Sequence, residues 1–181
     1  TVPFCYSVAA TRKCTLIDGP SAVIDAPAGN AALMPNAGGT GYYRFDLEPA
    51  DWDRLIATFP TMTGAEAIAA SDSLWAAFRA GRMDAPRLLA GTAALAANPD
   101  SNAALDGAQR LAGLNRRGVI PAAAVPAYRA YLDRTFAPRL AALGFDPTAG
   151  AYAKDDPDRQ KLRADLVSLL AREAADKACL L

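Results

Sequence analysis

The sequence predicts an α+β chain that is mostly α: a short N-terminal antiparallel β-sheet, read as a partial β-sandwich, then antiparallel helices of α-solenoid type. Three observations lead there. Residues 1–46 alternate short β-rich runs with turn signals. From Pro49 the apolar period changes to three or four residues. The helical segments are joined by short loops, which favour antiparallel neighbours, although no fixed-period repeat is spelled in the letters. The expected division is a sheet domain over 1–46 and a helical domain over 47–181.

The strands come first. Phe4 to Val8 and Cys14 to Ile17 are β-rich runs around the polar Thr11-Arg12-Lys13. Asp18-Gly19-Pro20-Ser21 is a turn signal, Ala22 to Asp25 a further short strand, and Pro27 to Asn30 another turn before Leu33 and Met34. The loop Gly38-Gly39-Thr40-Gly41 then leads into a strand over Tyr42 to Phe45, with its tyrosines pointing to alternate sides. So few short strands make a thin sandwich, and the first begins almost at Thr1, as if truncated.

Helices follow. Pro49 suits a first helical position, Trp52, Leu55, Ile56 and Phe59 form one stripe, and Pro60 stops the helix. Thr63-Gly64-Ala65-Glu66 spells a capping box for a helix running to Ala80, with Ile68, Trp75 and Phe78 inward and Gly81 as its stop. Asp84 caps a third helix bearing Leu88, Leu89 and Leu95 and closed by Asn98-Pro99. Ser101 caps a fourth, with Leu105, Ala108, Leu111 and Ala112 on one face and an end near Asn115 to Gly118. A longer helix after Pro121 turns Val125, Tyr128, Leu132 and Phe136 inward and is expected to bend or end at Pro138. Beyond a loop from Gly144 to Gly150, the last helix starts near Asp158 and carries Leu162, Leu166, Leu169 and Leu170.

Composition narrows the chemistry. Charges balance at 19 basic and 19 acidic residues without a basic stripe, which argues against a nucleic-acid partner. No apolar run reaches the roughly 18 residues of a membrane helix. Residues Thr1 to Ala10 lack the basic start and cleavage site of a signal peptide, and Thr1 is not an initiator Met; a piece of a longer chain is the expectation. The localisation stays open. Cys5, Cys14 and Cys179 form no zinc spacing. Cys5 and Cys14 could pair across a hairpin in an oxidising compartment; two free thiols on a half-buried sheet is the favoured reading.

The chain has no histidine, which removes most zinc sites, the Ser-His and Cys-His nucleophile pairs, and the commonest general base near neutral pH. The acidic pairs have plainer roles. Asp51 and Asp53 lie in a first helical turn, where negative charge suits the dipole, and Lys154 to Arg159 alternates sign at a helix start. Arg116-Arg117 could hold an anion, but a charged helix end explains it as well. The glycines at 38, 39 and 41 lack the Lys-Ser/Thr and the helix of a phosphate loop. No catalytic residue, metal ligand or cofactor-binding residue is expected in this chain.

Asn36 through Phe45, with its Gly-Tyr-Tyr-Arg run, resembles the junction before the C-terminal helical region in zinc aminopeptidases of the aminopeptidase N and puromycin-sensitive type. Val2 to Ile24 is similar to the later strands of that family's β-sandwich, and Trp52 to Leu55 to the first helix after the junction. Thr63 to Gly81, with Glu66, Asp72, Leu74 and Arg79-Ala80-Gly81, resembles a family helix ending in an Arg-Ala-Gly turn, with Ala67 where an Arg commonly follows the acid. Pro138-Arg139-Leu140, Leu143-Gly144-Phe145-Asp146-Pro147 and Leu162-Arg163 with Leu166 and Leu169 resemble a later turn and helix.

The resemblance implies a non-catalytic C-terminal part of a zinc aminopeptidase that removes N-terminal residues from peptides. The family's His-Glu-x-x-His helix, downstream Glu ligand and Gly-x-Met-Glu-Asn strand are not in these 181 residues, so zinc would belong to the parent's catalytic domain. The chain's partner would be that domain, with peptide met indirectly, while it covers the active site and shapes the peptide chamber. Asn36, Gly41, Tyr42, Tyr43 and Arg44 would form the structural joint. An unpaired sheet edge and helix face would let the isolated chain self-associate. The alternative is a stand-alone helical protein-binding module without catalysis; an independent carboxylate hydrolase has less in its favour.

Overall fold

A computed structural model describes residues 1–27 and 29–174; Cys179 lies outside the described residues. The fold is mostly helical, with a three-stranded antiparallel sheet at the N-terminus and six helices among the described residues. The chain divides into two compact units, Thr1–Ala103 and Ala104–Leu181.

In the first unit, β1 (Val2–Val8) and β2 (Thr11–Ile17) form a hairpin in unbroken antiparallel register from Val2↔Ile17 to Val8↔Thr11. Its two-residue turn needs a left-handed residue, and Ala9 supplies it at φ 50°. β3 (Leu33–Met34) pairs with the other edge of β1, so the order is β2-β1-β3. Tyr6, Val8 and Met34 are the buried residues of the sheet.

Three expectations about this region need correction. Cys5 and Cys14 are joined as a disulfide, not left as two free thiols. They face each other in the ladder, and counting from the closing pair places them at a non-hydrogen-bonded position, where opposed side chains come closest. Ala22 to Asp25 forms no strand: Val23 is 97% exposed, and the segment is held instead by Tyr6, whose hydroxyl donates to the Asp25 carbonyl at 2.9 Å. Tyr42 to Phe45 is not a strand either. Its side chains alternate between exposed and half-buried as a strand's do, but its backbone meets a helix: the Phe45 N–H donates to Ser73 Oγ at 3.3 Å.

Helix α1 (Pro49–Ile56) begins on its proline and buries Trp52, Leu55 and Ile56. It ends earlier than the stripe suggests. Phe59, fully buried, sits on a separate 3₁₀ turn, Phe59–Thr61, that contains Pro60. Helix α2 (Gly64–Arg79) is capped by Thr63, whose hydroxyl accepts from the Glu66 N–H, and it closes on Gly81 with Arg82 N–H donating to Ala77 O at 2.9 Å. Its inward face is Ala67, Ala70, Ser71, Leu74 and Trp75, while Ile68, expected inside, is 39% exposed. Small residues on that face let neighbours come close: at Gly91 of α3 (Ala85–Ala96) a Cβ would stand 2.5 Å from Leu74 Cδ2.

Asp84 caps α3 through the Arg87 N–H at 2.8 Å, and Arg87 reaches both oxygens of Asp53 on α1, at 2.7 and 3.2 Å. Asn98, read as a helix terminator, is fully buried: its amide donates to Phe59 O at 2.6 Å and Met62 O at 3.1 Å and accepts from the Asp100 N–H at 2.9 Å.

Helix α4 (Ser101–Arg116) is capped one residue earlier than expected, by Asp100, whose carboxylate accepts from the N–H groups of Asn102 and Ala103 at 2.9 Å each. In the second unit, α5 (Val125–Leu143) continues past Pro138 instead of ending there. The side chains packed around it hold the segment helical; Phe136 and Leu140, on either side of the proline, are both buried. Helix α6 (Pro157–Leu169), capped by Asp156, buries Leu162, Leu166 and Leu169 and passes into a π-helical turn, Leu170–Ala174. The α5–α6 loop is fixed by Arg163, which donates to Gly144 O at 2.8 Å and Leu143 O at 3.1 Å, pairs with Asp155 at 2.6 Å and lies 3.5 Å over the Tyr152 ring.

Candidate functional site

The segment from Pro35 to Asp46 connects sheet to helices within the first unit, and its conformation is dictated side chain by side chain. Asn36, 1% exposed, makes a reciprocal pair with Gly41: its amide nitrogen donates to Gly41 O and its amide oxygen accepts from the Gly41 N–H, both at 2.9 Å. One side chain thereby closes the glycine loop. Inside it Gly39, at φ 64°, approaches α2 so closely that a Cβ would meet Ala65 O at 2.4 Å. The Gly38 N–H donates to Glu66 Oε1 at 2.8 Å. The carboxylate expected to close a local capping box therefore turns to a loop 28 residues away, keeping only a 3.2 Å contact with the Thr63 hydroxyl.

Tyr43 stacks on Phe4 of β1 with ring centroids 5.6 Å apart, and its hydroxyl donates to Pro35 O at 2.8 Å. Burial, only partly offset by the hydrogen bond to Cys5 O, pushes the phenol above its ordinary range, so Tyr43 is a neutral donor and not a base. Arg44 pairs with Asp72 on α2 at 2.7 Å, and that bond holds its guanidinium firmly charged. Phe45 stacks on Trp52 of α1 at 5.5 Å, and the Trp52 indole N–H donates to Asp46 at 3.1 Å.

Four of the five expected joint residues, Asn36, Gly41, Tyr43 and Arg44, thus converge on one connection between β1, α1 and α2. Tyr42 does not: it is fully exposed. Glu66, Asp72, Ser73 and Asp46 complete the connection and were not singled out as its members. Their sequence signals were those of local helix chemistry, and nothing in the spacing shows a bond to a distant loop.

The second unit holds a separate polar cluster. Glu173, on the π-helical turn, accepts from the Tyr128 hydroxyl at 2.9 Å, from Asn115 at 3.1 Å and from Arg116 at 3.3 Å. Burial, then the bond to Glu173, drives the Tyr128 phenol far up. Arg116 is therefore part of an ion pair with Glu173. Among the described residues no group of three or more His, Cys, Asp or Glu side chains is placed to hold a metal, and no helix is long and apolar enough to cross a membrane.

The described residues thus make a small sheet, a glycine loop cross-tied to a helix, and a helical remainder. Residues 32–181 match the ERAP1-like C-terminal domain, so the chain belongs to this family, the C-terminal region of aminopeptidase N-like proteins. The match starts just before β3 and takes in the joint and all six helices described above. No curated protein matches the chain.

Proposed function

We propose that this chain is the non-catalytic C-terminal helical part of a zinc aminopeptidase that removes N-terminal residues from peptides. It covers the catalytic domain and helps shape the chamber that peptides enter. The observation that carries this reading is the family match over residues 32–181. The joint supports it: Asn36–Gly41, Glu66–Gly38 and Arg44–Asp72 make a cross-tied connection suited to holding helices at a fixed angle to a sheet. Zinc and its ligands belong, in this reading, to the parent's catalytic domain. The chain has no histidine, and among the described residues no group of three or more His, Cys, Asp or Glu could hold that metal.

The test is to read the coding DNA upstream of the Thr1 codon. An open frame running back through a His-Glu-x-x-His helix is expected; a start codon immediately upstream overturns the proposal. Zinc-dependent peptidase activity from the purified chain itself would also overturn it. A second reading, a stand-alone helical binding module, is favoured by one observation, an open groove of about 510 Å³ in the second unit lined by Phe145, Tyr152, Arg163 and Val167. It gains ground only if the start codon is found.

A further inference from the structure

The hairpin carries chemistry that neither the joint nor the family match uses. Cys5 and Cys14 are bonded across β1 and β2 at directly opposed positions. The bond lies at the surface, with Cys14 exposed and Cys5 half-buried. The strand it secures adds nothing to the core: Thr11 to Leu16 are all exposed and Ile17 is half-buried. β1, by contrast, is anchored by buried Tyr6 and Val8 and by its pairing with β3. The bond also spans a separation of only 9 residues, already closed by the hairpin ladder, and short loops gain least from a cross-link. A surface bond that holds a dispensable edge strand is the kind that thiols reach and open.

We propose that Cys5–Cys14 is a thiol–disulfide exchange site for a dithiol, and that its reduction frees β2 from the sheet while the rest of the first unit stays folded. A thiolate of the dithiol attacks the exposed Cys14 sulfur. The S–S bond breaks, and its electron pair leaves on the Cys5 sulfur, which is protonated by water. The second thiolate of the dithiol then attacks the mixed disulfide and releases Cys14, which is protonated in turn. The protein gains two electrons and two protons, and the dithiol becomes its own cyclic disulfide. Freeing β2 withdraws Arg12, whose guanidinium donates to Ala37 O at 3.3 Å, from the glycine loop. Phe4 and Tyr43 remain stacked, because β1 stays in place.

The full chain is treated with dithiothreitol in native buffer, alkylated, and read by peptide mass spectrometry, which separates Cys5 and Cys14 from Cys179. Hydrogen exchange is followed in parallel. Both cysteines should become labelled without denaturant, and exchange over Thr11–Ile17 should rise by about tenfold or more, with α2 and α3 unchanged. Three outcomes overturn the proposal: labelling that requires denaturant, reduction that leaves β2 exchange unaltered, or reduction that also unprotects α2 and α3. Labelling of the air-oxidised chain before any dithiol is added would overturn it as well. The double variant Cys5→Ser/Cys14→Ser should show the fast β2 exchange with no dithiol present, and the slow oxidised pattern from that variant would count against it.

Discussion

Gly41 sits where a side chain has nowhere to go, since a Cβ there would lie 2.1 Å from Tyr43 Cε1. Gly41→Ala must displace Tyr43 from its stack on Phe4 and should cost about 1–3 kcal/mol in urea unfolding. Gly81→Ala makes the useful contrast: it meets nothing within 4 Å but sits at φ 73°, so its penalty of about 1 kcal/mol is purely conformational. The order of the two losses separates crowding from backbone strain. At this scale the letters Asn-x-x-x-x-Gly-Tyr-Tyr-Arg showed which residues cluster in the chain but not which way each one points. Tyr42 and Tyr43 look equivalent in sequence, yet one is wholly exposed and the other donates to Pro35 O. Direction depends on what packs opposite, and for Tyr43 that is Phe4, 39 residues upstream.

Helix α5 is the element in which local preference and structure part company. Pro138 is exposed and lies inside the helix, where it has no N–H to offer the Arg134 carbonyl and its ring crowds that turn. Pro138→Ala should therefore raise stability by about 1–3 kcal/mol, seen as a higher urea midpoint with an unchanged slope. A loss would mean that the packing of α5 depends on the proline. Thr63→Ala, which removes the hydroxyl capping α2, should cost about 1 kcal/mol. The apolar stripes and caps made the helices readable, because both are local and periodic. Neither Ala22 to Asp25 nor Tyr42 to Phe45 is a strand, because β-rich letters and alternation record local preference and exposure, whereas a strand also needs a neighbour for its backbone. Asp100 in place of Ser101 as the α4 cap is a choice between adjacent good caps that the letters do not rank.

Across the whole molecule, both units hold titrating groups shifted from their ordinary values. In the first, burial pushes the Asp46 carboxyl up, but hydrogen bonds from Trp52 and Arg82 outweigh it and hold the group below its ordinary 3.8; the Arg87 hydrogen bond lowers Asp53 likewise. A depressed carboxyl stabilises the fold above its ordinary value and loses that contribution as pH falls through the folded value. The acid limb should thus appear in tryptophan fluorescence, because both tryptophans, Trp52 and Trp75, belong to the first unit. Asp46→Asn should flatten that limb. In the second unit Tyr128 has a raised phenol, so its contribution is complete below the ordinary 10.0 and fades as pH rises beyond it. Far-ultraviolet circular dichroism should show an alkaline loss there that Tyr128→Phe shifts. An alkaline loss that Tyr128→Phe leaves unchanged would contradict this assignment.

Asn98 joins α3 to the 3₁₀ turn through Phe59 O and Met62 O, and a buried carboxylate in its place would have no hydrogen to donate to either carbonyl. Asparagines convert to aspartate with age when the next backbone nitrogen attacks their amide. The residue after Asn98 is Pro99, whose nitrogen has no hydrogen to lose. This buried amide is therefore closed to that route of ageing by its own neighbour.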